Sequence, residues 1–367
     1  MQHQTDAPES IKISVFLGAS GDDTSNVKLL LESWTDYLER FTVETFGDTD
    51  PPDGIRNEIE HVSIPTPVRP TPFGRVWAVY RQTKQYIERH DPDVVMQCWK
   101  FSTHAAGVAL AGQRTGTPVI ARLSSDAFNE YKDQSYGFLA TAGVLALNNI
   151  LGRVPVRLAD EVIALGPYGK RQLSQRGAAD DNVTILPPPR PSTDRFSPPE
   201  EVAEVRQSLD LDPDDRIALY VGRLTLQKGM NFLSDVIEEL SEWTFVLVGE
   251  GPQSESLGEY DSVIEPGYVP HESIHKYYQA ADVYIHPSPL EGVPLVVLEA
   301  LSCSTPVVAR QAGDLDFVTG NTVSDPVEMA ALLQSGEYDT TWRNVEQFEE
   351  EFQRETLSGI VRSAVDD

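Results

Sequence analysis

The chain has 367 residues, with 57 Asp and Glu against 29 Lys and Arg, and a formal net charge of −28. This length allows two ordinary domains. The acidic balance argues against a nucleic acid as the main partner, because binding a phosphate backbone requires concentrated Lys and Arg. Only two cysteines occur, Cys98 and Cys303. They form neither a CxxC pair nor a zinc-type cluster, so we expect a reducing, cytoplasmic compartment.

The start of the chain, MQHQTDAPES, is polar and leads directly into IKISVFLG. This pattern lacks the charged start and longer apolar core of a signal peptide. The sequence contains no run of 18 apolar residues, so we expect a soluble or peripheral protein. Excess acid with scarce Lys indicates a high-salt cytoplasm, such as that of a halophilic archaeon, because concentrated salt screens self-repulsion. The alternative is an ordinary acidic enzyme.

Short runs rich in Val and Ile alternate with segments of helical period along the first half of the chain. This alternation is typical of repeated βα units that form a parallel sheet. A helix is predicted between the first two strands, with Thr24 as its N-cap. The predicted strands of this half are residues 11–18, 41–46, 61–65, 93–97, 117–123, 161–166 and 183–187.

Residues 187–200 contain six prolines in 14 positions, which neither a helix interior nor a central strand tolerates. Beyond them the alternating pattern restarts, with predicted strands at 217–222, 244–249, 262–269, 283–288 and 305–310. We therefore predict an α/β protein of two Rossmann-like, doubly wound domains that face a cleft. The predicted parts are domain 1–190, linker 191–200, domain 201–340 and a helix over 341–367 that packs back across the domains.

The segment VGRLTLQKG places Arg223 and Lys228 just after a predicted strand that ends at Gly222. Ligands of open α/β sheets bind outside the carboxyl ends of the strands. A guanidinium and an ammonium at such a position suit an anion, of which phosphate is the simplest. The segment is not a P-loop, since Gln227 precedes the lysine. The alternative is a pair of surface salt bridges.

A helix is predicted to begin in the segment EGVPLVVLE, with Pro294 in its first turn and Glu291 in the loop before it. The free N–H groups at this start, around Gly292, Val293 and Leu295, suit a diphosphate. Glu299 follows about 7 to 8 Å along the axis. Carboxylates accept hydrogen bonds from vicinal hydroxyls, so the spacing suits a nucleotide sugar. The alternative is two solvated glutamates.

Several motifs occur in the order and spacing of a known family: VGRLTLQKG, VGEGP and the long segment 266–309, followed by GNTVSDPVEMAALL. They resemble the nucleotide-sugar-binding half of the family 4 retaining glycosyltransferases of GT-B fold. The N-terminal half resembles the same family more weakly, through residues 92–126, 158–177 and 183–198. The resemblance therefore covers nearly the whole chain.

The resemblance implies a hexosyltransferase with a nucleotide-diphosphate sugar as donor and a lipid-linked or glycan acceptor, the latter bound by the N-terminal domain. Arg223 and Lys228 would hold the diphosphate and stabilise the leaving group. Glu291 would contact the transferred sugar and Glu299 the ribose. The further donor-binding candidates are Gly222, Gly249, Glu250, Gly251, Tyr268, Val269 and, from the first strand-to-helix loop, Gly18.

The sequence also departs from the family pattern. Gly18 and Gly21 are separated, where family members commonly have adjacent glycines. Many members place a His after the strand TPVIARL, where this chain has LSSDAFNE. Asp126 is the remaining candidate there, as a base or an acceptor-positioning group; the alternative is a loop acid with no role. His104 is either an acceptor ligand or a structural histidine.

DxD triplets are common in so acidic a chain, so no metal or other cofactor is expected to be required.

Two basic stretches, residues 65–90 and 151–176, carry local charges of +4 (5 − 1) and +3 (5 − 2) on this acidic background. They predict peripheral contact with a membrane through anionic headgroups. The alternative is neutralisation by acids of the protein itself.

For the whole chain, the alternatives to a transferase are a nucleotide-sugar epimerase or hydrolase and a noncatalytic GT-B binding subunit.

Overall fold

The computed structural model describes residues 11–18, 25–37, 41–51, 59–65, 71–129 and 138–366. The chain divides into two compact units, one of residues 1–189 together with 349–367 and one of residues 190–348. Residues 191–200, which the sequence predicts as a linker, begin the second unit, and residues 341–348 end it.

The first unit is built on a parallel sheet whose strands are the Val- and Ile-rich runs of the sequence. They are β1 (Ile11–Leu17), β2 (Phe41–Gly47), β3 (Glu60–Ser63), β4 (Val94–Gln97), β5 (Val119–Leu123), β6 (Glu161–Ala164) and β7 (Val183–Ile185). Their order among the described residues is β3-β2-β1-β4-β5-β6-β7. The order reverses between β1 and β4, which is the switch point of a doubly wound sheet.

Helices cover this sheet. They are α1 (Ser25–Tyr37), α2 (Pro72–His90), α3 (Ala106–Thr115), α4 (Phe138–Leu151), α5 (Arg153–Leu158) and α6 (Pro167–Ser174), with a π-helical segment (Phe101–Ala105) before α3 and a 3₁₀ turn (Asp180–Asn182) before β7. At the start of α2, the Thr71 side chain accepts a hydrogen bond from the Gly74 N–H at 3.1 Å. The predicted N-cap Thr24 lies outside the described residues.

The last helix of the chain returns to the first unit. The sequence predicts a helix from residue 341, but the structure has it as Glu350–Asp366. Its buried residues include Leu357, Ile360, Val361 and Ala364, which repeat at helical spacing. They join the hydrophobic cluster that contains Ile13 and Val15 of β1. This helix therefore completes one face of the first sheet.

The second unit repeats the same plan on a smaller sheet. Its strands are β8 (Ile217–Val221), β9 (Thr244–Val248), β10 (Val263–Gly267), β11 (Val283–His286), β12 (Val307–Arg310) and β13 (Thr322–Val323). The order is β10-β9-β8-β11-β12-β13, so its switch point lies between β8 and β11. Pro266 lies in an edge strand, where a missing N–H does no harm. No strand was predicted from the sequence at β13.

The helices of this unit are α7 (Val202–Ser208), α8 (Met230–Glu239), α9 (Ser254–Leu257), α10 (His275–Ala280), α11 (Leu295–Ser302), α12 (Leu315–Val318) and α13 (Pro326–Ser335). The C-terminal helix of the first unit, Glu350–Asp366, is α14. Two 3₁₀ turns add Leu226–Lys228 and Val345–Phe348. The predicted fold class, two Rossmann-like parallel α/β domains, is confirmed. In the described ranges no helix combines the length and apolar character that a bilayer crossing needs.

Candidate functional site

Glycines bring the loops after β8 and β9 into direct contact at the carboxyl edge of the second sheet. Gly222 has a φ of +150° and Gly249 a φ of +141°. A Cβ atom on Gly249 would lie 1.9 Å from the carbonyl oxygen of Gly222, so no other residue fits. Likewise, a Cβ on Gly251 would lie 2.2 Å from the carbonyl oxygen of Leu224. The three glycines predicted from the sequence thus shape one surface of the site.

The loop after β8 also positions the two predicted cations. The Arg223 side chain is exposed. Lys228 ends a 3₁₀ turn in which the Thr225 side chain accepts from the Lys228 N–H at 3.3 Å. Gly229 follows with a φ of +83°, and a Cβ there would lie 2.1 Å from the carbonyl oxygen of Pro287. This close approach places Lys228 beside the loop after β11.

Lys228 and Glu291, 63 positions apart in sequence, form an ion pair. Lys228 Nζ lies 2.7 Å from Oε1 of Glu291, whose side chain is 11% exposed. His286 Nε2 lies 3.2 Å from the same oxygen. Burial alone would raise the pKa of Glu291, but the charge of Lys228 and the contact with His286 outweigh it and hold that pKa well below its ordinary value. Glu291 is therefore ionised at neutral pH.

Glu299 lies on α11 and is 4% exposed. Its Oε1 lies 2.8 Å from Nε2 of His271, and its Oε2 accepts from the hydroxyl of Tyr278, also at 2.8 Å. Burial, followed by the nearby carboxylate, raises the pKa of Tyr278 well above its ordinary value, so this hydroxyl remains a donor. The carboxylate predicted to accept from a ribose is thus held by two side chains that the sequence analysis did not identify.

The start of α11 differs in detail from the prediction. Pro294 precedes the helix in an extended conformation, and α11 begins at Leu295. Gly313 has a φ of +52°, and a Cβ on it would lie 1.9 Å from the carbonyl oxygen of Glu291. The Gly292 carbonyl accepts from the Asp314 N–H at 3.2 Å. The loop 291–294, including Val293, is therefore fixed against the loop after β12.

Tyr268 and Val269 follow β10, next to the loop after β9. The Gly249 N–H donates to the Gly267 carbonyl at 2.9 Å, which joins these two loops. Tyr268 is 72% exposed. Glu250 lies in the adjoining loop, and its carbonyl accepts from the Leu224 N–H at 2.9 Å. The predicted loops after β8, β9 and β10 therefore adjoin one another at the carboxyl edge of this sheet.

The predicted residues Gly18 and Asp126 belong to the first unit. A Cβ on Gly18 would lie 2.6 Å from the ring of His104, which is buried. Burial, with Lys100 and Arg75 adding to it, lowers the pKa of His104 to about 3, so the ring is neutral. Gly21 lies outside the described residues.

The Asp126 side chain is buried and hydrogen-bonded within the first unit. Asn129 Nδ2 donates to both carboxylate oxygens at 2.9 Å, and the Tyr168 hydroxyl donates to Oδ2 at 2.8 Å. The acid that the sequence offers as a base is therefore held in place by two neighbours.

Within the described part of the chain, no group of three or more His, Cys, Asp and Glu side chains is arranged to hold a metal ion.

Four residues of the site were not predicted from the sequence: His271, Tyr278, Tyr284 and His286. His286 carried a usable signal, since it is a polar residue at the end of an apolar strand, directly before the loop that contains Glu291. Tyr278 and His271 carried none, because their role depends on how α10 and its preceding loop pack against α11.

Two family models match the chain. Residues 201–328 match the model of glycosyl transferases group 1, and residues 37–189 match that of the glycosyl transferase 4-like domain. TuaC of Bacillus subtilis, a protein named for teichuronic acid biosynthesis, is 35% identical over 157 residues, which cover 41% of this chain and 40% of TuaC. The D-inositol 3-phosphate glycosyltransferase of Segniliparus rotundus is 31% identical over 181 residues, covering 45% of this chain and 40% of that protein.

Among solved structures, HepE of Anabaena in complex with UDP and glucose superimposes with a TM-score of 0.71 at 18% identity, covering 96% of this chain and all of that one. The matched segments span less than half the length of the two curated relatives. The chain is thus a two-domain protein of GT-B fold. It is similar to the family 4 glycosyltransferases in both halves.

Proposed function

We propose that this chain is a retaining glycosyltransferase that transfers a hexosyl group from a nucleotide-diphosphate sugar to a lipid-linked or glycan acceptor. The observation that carries the proposal is the pair of Lys228 and Glu291, 2.7 Å apart at the switch point of the second sheet, with Arg223 in the same loop as the lysine. This arrangement supplies cations for a leaving diphosphate and an ionised carboxylate that accepts hydrogen bonds from sugar hydroxyls. The group 1 family match supports it.

The proposed reaction exchanges one bond for another. The bond between the anomeric carbon and the diphosphate oxygen breaks, a bond to the acceptor oxygen forms on the same face, and the acceptor's hydroxyl proton passes to the departing diphosphate. Negative charge develops on that diphosphate, so fixed cations stabilise the transition state better than water does. Arg223 and Lys228 take this role, and no metal is required.

The remaining candidates divide between donor and acceptor. Glu299 is proposed to accept from the ribose, since a carboxylate oxygen has a second lone-pair site beyond the bonds from His271 and Tyr278. The loops of Gly222, Gly249 and Tyr268 are proposed to hold the nucleotide. The first unit is proposed to bind the acceptor, with Asp126 orienting its hydroxyl.

Ligand-induced stabilisation tests the donor class. A ligand at 100 times its Kd adds about 2.7 kcal/mol to stability, so melting curves with nucleoside diphosphates and their sugars would identify the base. Uridine compounds come first, because HepE was crystallised with UDP. Retention is then read from the anomeric configuration of the product by NMR. A binding subunit would be stabilised without hydrolysing the donor, and an epimerase would alter the donor sugar without an acceptor.

Replacing the two glutamates separately should affect different kinetic constants. Glu299→Ala is expected to raise mainly the KM for the donor, because it removes a contact to the ribose that is equal in the ground and transition states. Glu291→Ala is expected to lower kcat, because its contacts tighten in the transition state. The measurement is steady-state kinetics with isothermal calorimetry of nucleoside diphosphate. Unchanged nucleotide affinity in Glu299→Ala would contradict the ribose assignment.

We also infer a cytoplasmic protein, adapted to high salt, that contacts a membrane peripherally through the first unit. On α2, the side chains of Phe73 and Trp77 are 61% and 53% exposed, and Trp77 stacks on Tyr80 at 5.2 Å between ring centroids. Arg81 on the same helix is exposed, and Lys84 pairs with Glu88. Apolar contacts therefore supplement charge, as they must where salt screens headgroup attraction.

The second basic stretch, residues 151–176, contributes less to the proposed membrane contact than its local charge of +3 implies. Lys170 Nζ donates to the carbonyl oxygens of Asp180 and Val183 at 3.0 and 2.8 Å. The Arg176 guanidinium lies over the Phe128 ring, 3.5 Å from its centroid. Within 151–176, Arg153 and Arg157 on α5 are exposed and suit headgroups better.

Co-sedimentation with anionic liposomes at working salt tests the membrane contact. The double variant Phe73→Ser/Trp77→Ser is expected to stay in the supernatant, because about 25 cal/mol per Å² of apolar burial is lost. Val327→Ser removes an equally exposed apolar side chain, 65% exposed, from the second unit and serves as the matched control. If wild-type protein stays in the supernatant, or the double variant pellets as well as wild type, the proposed contact is wrong.

A further inference from the structure

His286 is a buried imidazole between two polar groups at the end of β11. It is 2% exposed. Its Nδ1 lies 3.3 Å from the hydroxyl of Tyr284, and its Nε2 lies 3.2 Å from Oε1 of Glu291. An ionised carboxylate only accepts hydrogen bonds. The contact with Glu291 is therefore favourable only when Nε2 carries a hydrogen.

The direction in which the Tyr284 hydroxyl donates decides which nitrogen of a neutral ring carries that hydrogen. Tyr284 is fully buried, and burial raises its pKa well above the ordinary value, so the hydroxyl keeps its proton. This single proton points either to His286 Nδ1, at 3.3 Å, or to the Val221 carbonyl, at 3.4 Å. Donation to Nδ1 leaves the ring hydrogen on Nε2, facing Glu291.

Two nitrogen atoms converge on one oxygen of Glu291. Lys228 Nζ donates to Oε1 at 2.7 Å, and His286 Nε2, a buried nitrogen with no hydrogen-bond partner among the described residues, lies 3.2 Å from the same oxygen as an electrostatic contact. Among the described residues none donates to Oε2. Tyr284 and His286 lie on β11 and Val221 ends the neighbouring strand β8, so the imidazole is anchored on the sheet, whereas Lys228 reaches Oε1 from the loop after β8. A carboxylate held by one oxygen presents the other in a fixed direction.

We propose that His286 is a positioning residue, oriented by Tyr284, that holds Glu291 by Oε1 and leaves Oε2 for a hydroxyl of the transferred sugar. The identity of that substrate rests on the proposed glycosyl transfer. The placement of the imidazole hydrogen does not. Loss of the His286 contact leaves Oε1 held by Lys228 alone among the described residues, so the orientation of the carboxylate is less restricted. Misplacement by about 1 Å is known to cost up to about 100-fold in rate.

Two substitutions separate positioning from packing. His286→Gln keeps an N–H near the place of Nε2, whereas His286→Leu fills the space without a donor. In His286→Leu, kcat is expected to fall at least tenfold, while the affinity for nucleoside diphosphate stays within threefold of wild type. In His286→Gln most of kcat is expected to return. Wild-type kcat in His286→Leu, or equal loss of kcat in both variants with unchanged melting temperature, would overturn the proposal.

The hydrogen position is measurable without any turnover. In protein labelled with ¹⁵N-histidine, long-range NMR correlations distinguish the two neutral tautomers and the imidazolium, and the spectrum of His286→Gln assigns the signal by its loss. We expect hydrogen on Nε2 and a shift of this signal in Glu291→Gln. A neutral ring with its hydrogen on Nδ1 would refute the proposal. Failure of sugar transfer by the wild-type protein would instead refute the proposed function and leave this result standing.

Discussion

Replacing Lys228 with alanine is expected to lower sugar transfer at least tenfold without unfolding the protein. A charge-assisted hydrogen bond contributes about 1.5–3 kcal/mol, and each 1.36 kcal/mol in a barrier is about tenfold in rate. Lys228 has two such roles, since it pairs with Glu291 in the free protein and is proposed to bind the diphosphate. Arg223→Ala is expected to reduce transfer similarly. Lys276→Ala, an exposed lysine on α10, is the matched control.

Lys228→Ala should also change the pH dependence of stability. The pKa of Glu291 is depressed in the folded protein, so its contribution to stability is complete above the unfolded-state pKa and is lost as pH falls toward the folded-state pKa. Without Lys228 the folded-state pKa rises, and this contribution disappears. Urea unfolding at pH 7 and pH 4 measures it: the variant should lose more stability at pH 7 than at pH 4. Wild-type turnover in both Lys228→Ala and Arg223→Ala would exclude the diphosphate assignment.

Folding and activity are expected to require molar salt. At a net charge of −28 the folded chain repels itself, and the screening length falls from about 10 Å at 0.1 M salt to about 3 Å at 1 M. The melting temperature should therefore rise steeply between 0.1 and 1 M KCl. Beyond this range only the weaker strengthening of apolar burial by salt continues. Thermal unfolding followed by circular dichroism measures this, and an unchanged melting temperature between 0.1 and 2 M KCl would contradict high-salt adaptation.

The sequence predicted the strands well where apolar runs are long. All twelve predicted strands occur, whereas β13, with only Thr322 and Val323, is too short to show a pattern. The start of α14 was placed too early because the polar residues 341–349 also fit a helix. A proline locates a helix start only to within about one or two residues, so Pro294 precedes α11 instead of lying in its first turn.

The candidate residues of the site could be proposed from the sequence, but their pairing could not. Arg223, Lys228, Glu291 and Glu299 were proposed from their positions near strand ends and a helix start, together with the family resemblance. The contact between Lys228 and Glu291 requires β8 and β11 to be neighbours, which depends on the strand order of the sheet. The partners of Glu299 and Asp126 depend on side-chain packing between separate helices and loops, for which a single sequence carries no periodic signal.

The return of α14 to the first unit makes that unit discontinuous in sequence. A ribosome completes residues 190–348, a continuous unit, before it delivers residues 349–367. Until then the apolar face around Ile13 and Val15 lacks its final cover. The first unit, although most of it is translated earlier, can therefore complete its core only after all of residues 190–348 have been synthesised.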